Sequence, residues 1–302
     1  MHDVIIIGGG PAGLSAALAL GRARRKVCVF DSGPRRNAEA VHVHNFVTRD
    51  GVTPDEFRRT AHDQLATYPN VELRSEPIAE ITGARGSFRA NDITAKRVLL
   101  ATGLIDDMLP IPGFRELWGR SIFQCPYCHG WEIQDRRWGF LPLPHTTAHA
   151  ILFALQIRAW TDRVVVFGQH LDAATRATIE GAGIPVHASP IAKLAGDRAR
   201  GLEEAELADG TRVPVDALFT QPTQQQVPVV RQLVATRGLV LDDVGFVNVE
   251  PMKRETSIPG VFAGGDLATR MQAAILAAAQ GMQAAAAINV DLALDGVTIP
   301  GH

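Results

Sequence analysis

The chain has 302 residues, 46% of them hydrophobic, and 30 lysines and arginines against 32 aspartates and glutamates give a formal net charge of -2. At about 100–200 residues per domain, this length predicts two domains with a sizeable core. So balanced a charge supplies no long-range field for nucleic acid or an anionic membrane, and neither is expected as a partner.

The opening Met1-His-Asp-Val-Ile-Ile-Ile-Gly8 has no basic region before its apolar run and no small-residue cleavage site, so it reads as a buried strand and not as a signal peptide or membrane span. Three cysteines do not make a secreted disulfide framework, and a reducing cytoplasm is the expected location. Cys28, inside Lys26-Val-Cys-Val-Phe30, reads as a buried core thiol.

Val4 to Ile7 is a continuous β-branched run without polar alternation, as in a parallel strand covered on both faces. Gly8-Gly-Gly10-Pro-Ala-Gly13 follows at once, then an Ala/Leu-rich helix over Leu14–Leu20 and a second strand over Val27–Phe30 that ends at Asp31. In such a βαβ unit the first glycine permits a tight turn, the second lets backbone approach a pyrophosphate, and the third allows close helix–strand packing. The helix N-terminus faces the phosphates with its dipole and free N–H groups, and Asp31 is placed to accept from a ribose hydroxyl.

Pro34 to Phe46 is irregular and polar. His42 and His44 alternate with valines as on one edge of a short strand, and with Asn45 they are candidates to line a cofactor. An amphipathic helix is expected from about Pro54 to Tyr68, a small antiparallel insert of short strands from Val71 to Arg97, and a buried strand over Val98-Leu-Leu-Ala-Thr-Gly103. Pro110-Ile-Pro-Gly113 marks a domain boundary. Beyond Cys125-Pro-Tyr-Cys128-His-Gly-Trp-Glu132 come a strand at Trp138–Leu141, a helix-like run from Thr146 to Trp160, a strand at Arg163–Phe167, a helix from Asp172 to Gly181 and a strand at Pro185–His187, again βαβαβ. A hairpin turns around Asp209-Gly210, a strand covers Val215–Thr220, and a long Ala-rich helix runs from about Met271 to Leu294.

Taken alone, Cys125 and Cys128 can bind a metal, cap a turn or cycle between dithiol and disulfide. A zinc site would need two more ligands; His129 is too close, His145 and His149 are a loose pair, and there is no second cysteine pair, so no metal is expected. A Cys-x-x-Cys at a turn opening a helix has one thiolate stabilised by the helix end, which makes it a nucleophile and a leaving group. Trp131 and Glu132 read as packing and capping residues.

Four segments together resemble the low-molecular-weight thioredoxin reductase family: Gly8-Gly-Gly-Pro-Ala-Gly13, Val98-Leu-Leu-Ala-Thr-Gly103, Cys125-Pro-Tyr-Cys128, and Gly260-Val-Phe-Ala-Gly-Gly-Asp266 with Arg270-Met-Gln-Ala273 after it. The Cys-Pro-Tyr-Cys-His-Gly-Trp-Glu variant looks most like the branch that includes the gliotoxin and holomycin dithiol oxidases. The resemblance implies two Rossmann-like, three-layer α/β domains. An FAD domain, residues 1–112 plus 248–302, is interrupted by a smaller nucleotide-binding-like domain, residues 113–247, that carries the cysteines. It puts Gly8, Gly10, Pro11, Ala12 and Gly13 at the FAD pyrophosphate, Asp31 at the adenosine ribose and Asn45 near the isoalloxazine. Ala101, Thr102 and Gly103 line the cofactor, Gly265 and Asp266 meet the ribityl chain, and Gln272 and Ala273 present N–H groups to the pyrimidine edge. Cys128 is assigned to the flavin side, Cys125 to exchange with substrate, and His129, as an imidazole titrating near neutrality, to proton transfer. His302 is a candidate to reach a flavin face if the tail folds back.

One stretch departs from the family pattern. Where a second G-x-G-x-x-[AG] would stand, the chain reads Gly139-Phe-Leu-Pro-Leu-Pro-His-Thr-Thr-Ala148, and proline removes the N–H groups that hold a pyrophosphate. Phe167-Gly-Gln-His170 likewise lacks a basic cluster for a 2′-phosphate. The expected protein is a homodimeric flavoprotein oxidoreductase passing electrons between FAD, Cys125–Cys128 and an external thiol or disulfide, such as a thioredoxin-like protein or a small dithiol. Its donor would be ferredoxin or another carrier in place of NADPH, or its acceptor oxygen. An NADPH-dependent reductase with an atypical nucleotide site, and a non-enzymatic flavin redox sensor, stand as alternatives.

Overall fold

A computed structural model describes residues 1–33 and 35–297; Pro34 and His302 lie outside the described residues. The chain forms two units, the first from Met1–Ala38, Asn45–Ile105 and the segment from Gln224 onward, the second from Glu39–His44 and Asp106–Thr223. Both are Rossmann-like α/β folds built on parallel sheets.

The first unit begins β1 (His2–Ile7), α1 (Pro11–Arg22), β2 (Val27–Phe30), α2 (Pro54–Leu65), β3 (Val71–Arg74), β4 (Thr82–Ala84), β5 (Ser87–Ala90), β6 (Ile93–Leu100) and β7 (Leu104–Asp106). Its sheet runs β3-β2-β1-β6-β5-β4, and β17 (Val261–Ala263) pairs with β6. β2, β1, β6 and β17 are parallel, so their carboxyl ends share one sheet edge. Alternate residues of the same strands feed two cores: Ile5, Ile7, Cys28 and Phe30 on one face, Val4, Ile6, Val27 and Val29 on the other. Burial on both faces is why these strands are apolar without alternation.

Two expectations change here. Val71–Arg74 is not part of an antiparallel insert; it joins the main sheet parallel to β2, Val27 opposite Val71, and the antiparallel pairings of this sheet are β4 with β5 and β5 with β6. His42 and His44 flank a single bridge residue, Val43, and no strand forms there.

In the second unit, α3 (Phe114–Leu117), β8 (Ile122–Phe123), α4 (Pro126–His129), β9 (Trp138–Phe140), α5 (Ala150–Gln156), β10 (Val164–Phe167), α6 (Ala173–Gly181) and β11 (Val186–His187) precede an antiparallel trio, β12 (Ile191–Asp197), β13 (Gly201–Leu207) and β14 (Arg212–Pro214). With β15 (Ala217–Phe219), the parallel sheet has the order β11-β10-β9-β15-β8. The run expected as one helix from Thr146 is a 3₁₀ turn over Pro144–His149, then α5, then a second 3₁₀ turn over Ile157–Ala159. Thr146 and Thr147 donate their hydroxyls back to the carbonyls of Leu143 and Pro144, which tightens the start into 3₁₀.

The chain returns to the first unit at β16 (Gln224–Gln226) and α7 (Pro228–Arg237), well before the expected residue 248. The reason is packing: Val229, Val230 and Leu233 of α7 complete the core that holds Ile5 and Phe30. Likewise the first crossing comes after Ile105 and not at 112, since Met108, Leu109 and Ile111 pack against the second unit's core. The last helix, α8 (Ala274–Ala293), lies against α1, and a Cβ on Gly281 would stand 2.0 Å from the carbonyl oxygen of Ala12. Among the described residues no helix is long and apolar enough to cross a membrane.

That approach predicts a paired outcome. Gly281→Ala should destabilise by about 1–3 kcal/mol through overpacking. Gly181→Ala, at the end of α6 where a Cβ meets nothing within 4 Å, should be neutral or stabilising by up to about 1 kcal/mol. Urea unfolding of the two variants checks the contrast.

Candidate functional site

Two constellations carry chemistry, one in each unit. In the first, β1 ends in Gly8, which takes φ of +112°. Its N–H donates to the Phe30 carbonyl at 2.8 Å, while Ala101 N–H donates to Ile7 and Gly264 N–H to Leu100 at 2.8 and 3.0 Å, so the strand ends are tied level. A Cβ on Gly8 would lie 2.2 Å from the Ala101 oxygen, and one on Gly13 would lie 1.9 Å from the Gly8 oxygen. At Gly10, the N-cap of α1, a Cβ would meet nothing within 4 Å. The loop is thus closed on its protein side and open on the other, with Pro11 in a first position that needs no N–H and Ala12 buried behind it.

The other loop ends converge on this cradle. Ala101 is buried, the Thr102 hydroxyl donates to the Gly103 carbonyl at 3.2 Å, and Gly103 takes φ of +65°. A Cβ on Gly265, at φ of +93°, would sit 3.0 Å from that of Ala12, which sets Asp266 beside the first turn of α1. Asp266 accepts from Arg36 Nη1 at 2.9 Å, the same nitrogen donates to Gln272 Oε1 at 2.7 Å, and Gln272 Nε2 donates to Gln224 at 2.7 Å. Ala273 is the N-cap of α8.

Asp31 ends β2 as expected, but its carboxylate is engaged: one oxygen accepts from Gly33 N–H at 3.1 Å and the other from Arg58 Nε at 2.8 Å. Asn45 sits in an exposed turn at φ of +59°, its N–H donating to Asp50 at 2.8 Å. Arg36, Arg58 and Gln224 went unread in the sequence. They lie in polar stretches, and partners 27 to 236 positions away leave no local pattern.

In the second unit Cys125 is the N-cap of α4, and Cys128 N–H donates to its carbonyl at 3.2 Å. Neither is held in a disulfide. The Cys125 thiol is pulled down to about 7, first by the hydrogen bond from the Cys128 side chain and then by the N–H groups of Cys128 and Tyr127, against the opposing effect of burial. Cys28 is the counter-case: burial, reinforced by Glu72, pushes it up to about 12, and it is inert.

His129 stacks on Phe123 with ring centroids 4.2 Å apart, and both ring nitrogens are buried without a hydrogen-bond partner. The near-neutral imidazole expected there is not found: burial, and secondarily His44, push it down to about 4. His44 Nε2 stands 3.4 Å from Glu132, so the Glu132 carboxylate faces His44 and does not cap a helix. Trp131 does not pack; it is 73% exposed. Tyr127 is braced by Gln156 at 2.9 Å and by an edge contact to Trp160.

The turn after β9 stands where the sequence departs from the family's second glycine pattern. Gly139 serves packing, a Cβ there lying 2.7 Å from the Phe167 ring. Leu141, Pro142 and Leu143 are buried, and Leu143 N–H is taken by the Thr146 hydroxyl at 2.9 Å. His145 and His149 are exposed on the following 3₁₀ turn.

The profile of the pyridine nucleotide-disulphide oxidoreductase family matches residues 2–281, and the chain belongs to that family. It is 32% identical to thioredoxin reductase sirT of Leptosphaeria maculans, over 96% of this chain and 94% of that protein. Thioredoxin reductase tcpT of Claviceps purpurea is 34% identical over 87% of this chain and 86% of its own length. A crystal structure of an oxidoreductase from Agrobacterium tumefaciens superposes with a TM-score of 0.87 at 34% identity, covering 97% and 99% of the two chains. The resemblance to thioredoxin reductases read from four segments therefore extends along nearly the whole chain. These enzymes are FAD-binding flavoproteins, and the cradle fits such a group: it is open at Gly10 and closed to any side chain at Gly8 and Gly13.

Two measurements follow. Iodoacetamide alkylation against pH should show a thiol titrating near 7, and Cys128→Ala should move Cys125 up toward an ordinary thiol value, since its largest stabilising bond is lost. For His129 the folded value of about 4 lies below the ordinary 6.5, so the unfolded chain binds more protons between them. Stability is then fully present above pH 6.5 and is lost as pH falls toward 4, by about 2 kcal/mol at pH 5. His2 and His62 are lowered by burial in the same direction, so the flatter slope of His129→Asn relative to the parent, measured by urea unfolding at pH 7 and pH 5, isolates the contribution.

Proposed function

We propose that the chain passes electron pairs between FAD and the Cys125–Cys128 couple, and on to or from an external thiol or disulfide, without NADPH as donor. The observation that carries this reading is the turn after β9. There Pro142 and Pro144 have no N–H, and Leu143 N–H is spent on Thr146, so the second unit offers no row of free donors for a pyrophosphate.

Gly8, Gly10, Pro11, Ala12 and Gly13 would hold the FAD diphosphate, Asp31, oriented by Arg58, the ribose, and Asn45 the isoalloxazine neighbourhood. Ala101, Thr102, Gly103, Gly265 and Asp266 would line the ribityl side, and Gln272 and Ala273 the pyrimidine edge. When bound, FAD supplies a two-electron couple for the dithiol.

On the cysteine side, a substrate thiolate attacks Cys125 Sγ of the Cys125–Cys128 disulfide, a mixed disulfide forms, and Cys128 leaves as thiolate. The second substrate thiolate attacks its own mixed-disulfide sulfur and expels Cys125. Substrate departs as a disulfide, and two electrons stay on the cysteine pair. A thiol titrating near 7 suits both roles of Cys125, since about half of it is thiolate at neutral pH and it leaves readily. Run backward, the same steps reduce a disulfide. We assign proton transfer to His129, held neutral at physiological pH by burial and with both ring nitrogens bare, so that one can accept a thiol proton when a thiol comes within reach. On the flavin side the carrier is oxygen for an oxidase, or ferredoxin or a similar donor for a reductase. Three cysteines without a secreted disulfide framework favour a reducing cytoplasm, and we place the protein there as a homodimer.

The family profile extends across the second unit and the relatives bear the name thioredoxin reductase, which favours a second reading, an NADPH-dependent reductase with an atypical nucleotide site. Anaerobic titration separates the two. Stoichiometric NADPH should leave the oxidised flavin absorbance standing while excess dithiol bleaches it, and full bleaching by NADPH would establish the second reading.

A further inference from the structure

Arg254 lies in the first unit with 8% of its surface exposed and a φ of +61°. Its Nε donates to the Ala263 carbonyl at 3.2 Å and its Nη2 to Gln280 Oε1 at 3.1 Å. Both acceptors are neutral, and among the described residues no carboxylate pairs with it. Burial alone acts on its pKa, downward, with no neighbouring charge contributing. Arg97 shows the usual arrangement: fully buried, it is bonded to Asp291 and Asp295. A buried cation left without an anion destabilises a fold. Two neutral hydrogen bonds do not explain a charge at this position.

The position points outward to the cradle. Gln280 Oε1 also accepts from Gly265 N–H at 2.8 Å, and Gly265 is the residue whose Cβ would sit 3.0 Å from Ala12 at the first turn of α1. One glutamine amide therefore separates the guanidinium from the wall of the cradle. We propose that Arg254 is a positioning residue for the cofactor diphosphate, a charge whose missing partner is the bound dinucleotide and whose bond through Gln280 holds the Gly265 turn in place. This rests on the reading that the cradle holds FAD.

The experiment measures two quantities on the apoprotein, prepared by removing flavin: FAD affinity by quenching of flavin fluorescence, and thermal stability without FAD. Arg254→Gln should weaken FAD about tenfold or more, with apoprotein stability unchanged or raised, because an unpaired buried charge is gone. Arg254→Lys, which keeps the charge, should recover most of the affinity. Gln280→Glu gives Arg254 an internal carboxylate and should raise apoprotein stability while weakening FAD about tenfold. A purely structural arginine would give the opposite result: apoprotein stability lost in Arg254→Gln and FAD affinity within twofold of the parent in Gln280→Glu. That pattern overturns the proposal. Failure of the parent apoprotein to take up FAD would overturn the cradle reading itself, and is visible before any variant is made.

Discussion

The geometry of the cradle depends on contacts that admit no side chain. Gly13 is pressed on the Gly8 carbonyl and Gly281 on the Ala12 carbonyl, so α1 is clamped between the strand that precedes it and α8 behind it. Neither contact can relax without moving backbone, which interiors packed near crystalline density resist. Because α1 is fixed, its N-terminus opens at the carboxyl edge of β2, β1, β6 and β17, where the loop ends at Asp31, Ala101 and Gly265 also arrive. The small buried residues of α8, Ala277, Gly281, Ala284 and Ala285, serve the same close approach, while Ile288 and Leu292 fill the core farther along the helix.

Charge is laid over this frame in two ways. Arg58 is tied to Asp31 and Arg36 to Asp266, so each acid keeps its orientation without a ligand. Arg254 has hydrogen bonds but, among the described residues, no acid. The two pairs are self-sufficient and serve to fix geometry; Arg254, on our proposal, is completed by an anion. A site that must be stable when empty and still favour a doubly charged group gains from dividing the labour in that way, because a fully neutralised cradle would exert no attraction.

How far the sequence disclosed this varies with the range of the interaction. The two Rossmann units, the glycine loop and the Cys-x-x-Cys turn were legible because each depends on residues within about thirty positions: apolar runs, turn glycines and a cap. What was misplaced depends on distant partners. The return to the first unit was expected at 248, and α7 was missed, because Val229, Val230 and Leu233 have a weak helical pattern of their own and are held by Ile5 and Phe30. β3 was assigned to an insert for the same reason, its partner β2 lying some forty residues earlier. Glu132 was read as a cap when its partner, His44, is almost ninety residues away. The imidazole of His129 was expected near neutrality because a sequence shows the residue type and not the Phe123 ring that shuts water out.

The cysteines show the same division at the level of chemistry. Cys28 and Cys125 are both removed from water, and burial alone would raise both thiols. They differ in what faces the sulfur. Cys28 sits mid-strand, where every N–H is committed to the sheet and the nearest charge is the carboxylate of Glu72. Cys125 sits at a helix cap, where the Cys128 thiol and the N–H groups of Tyr127 and Cys128 face the sulfur, the Cys128 N–H also donating to the Cys125 carbonyl. A two-residue spacer is the shortest that lets the second thiol join them on the same turn. The cysteine pair thus depends on a helix end, as the cradle does, and the turn after β9 differs from both: Leu143 N–H goes to the Thr146 hydroxyl, and Pro142 and Pro144 have no N–H to offer.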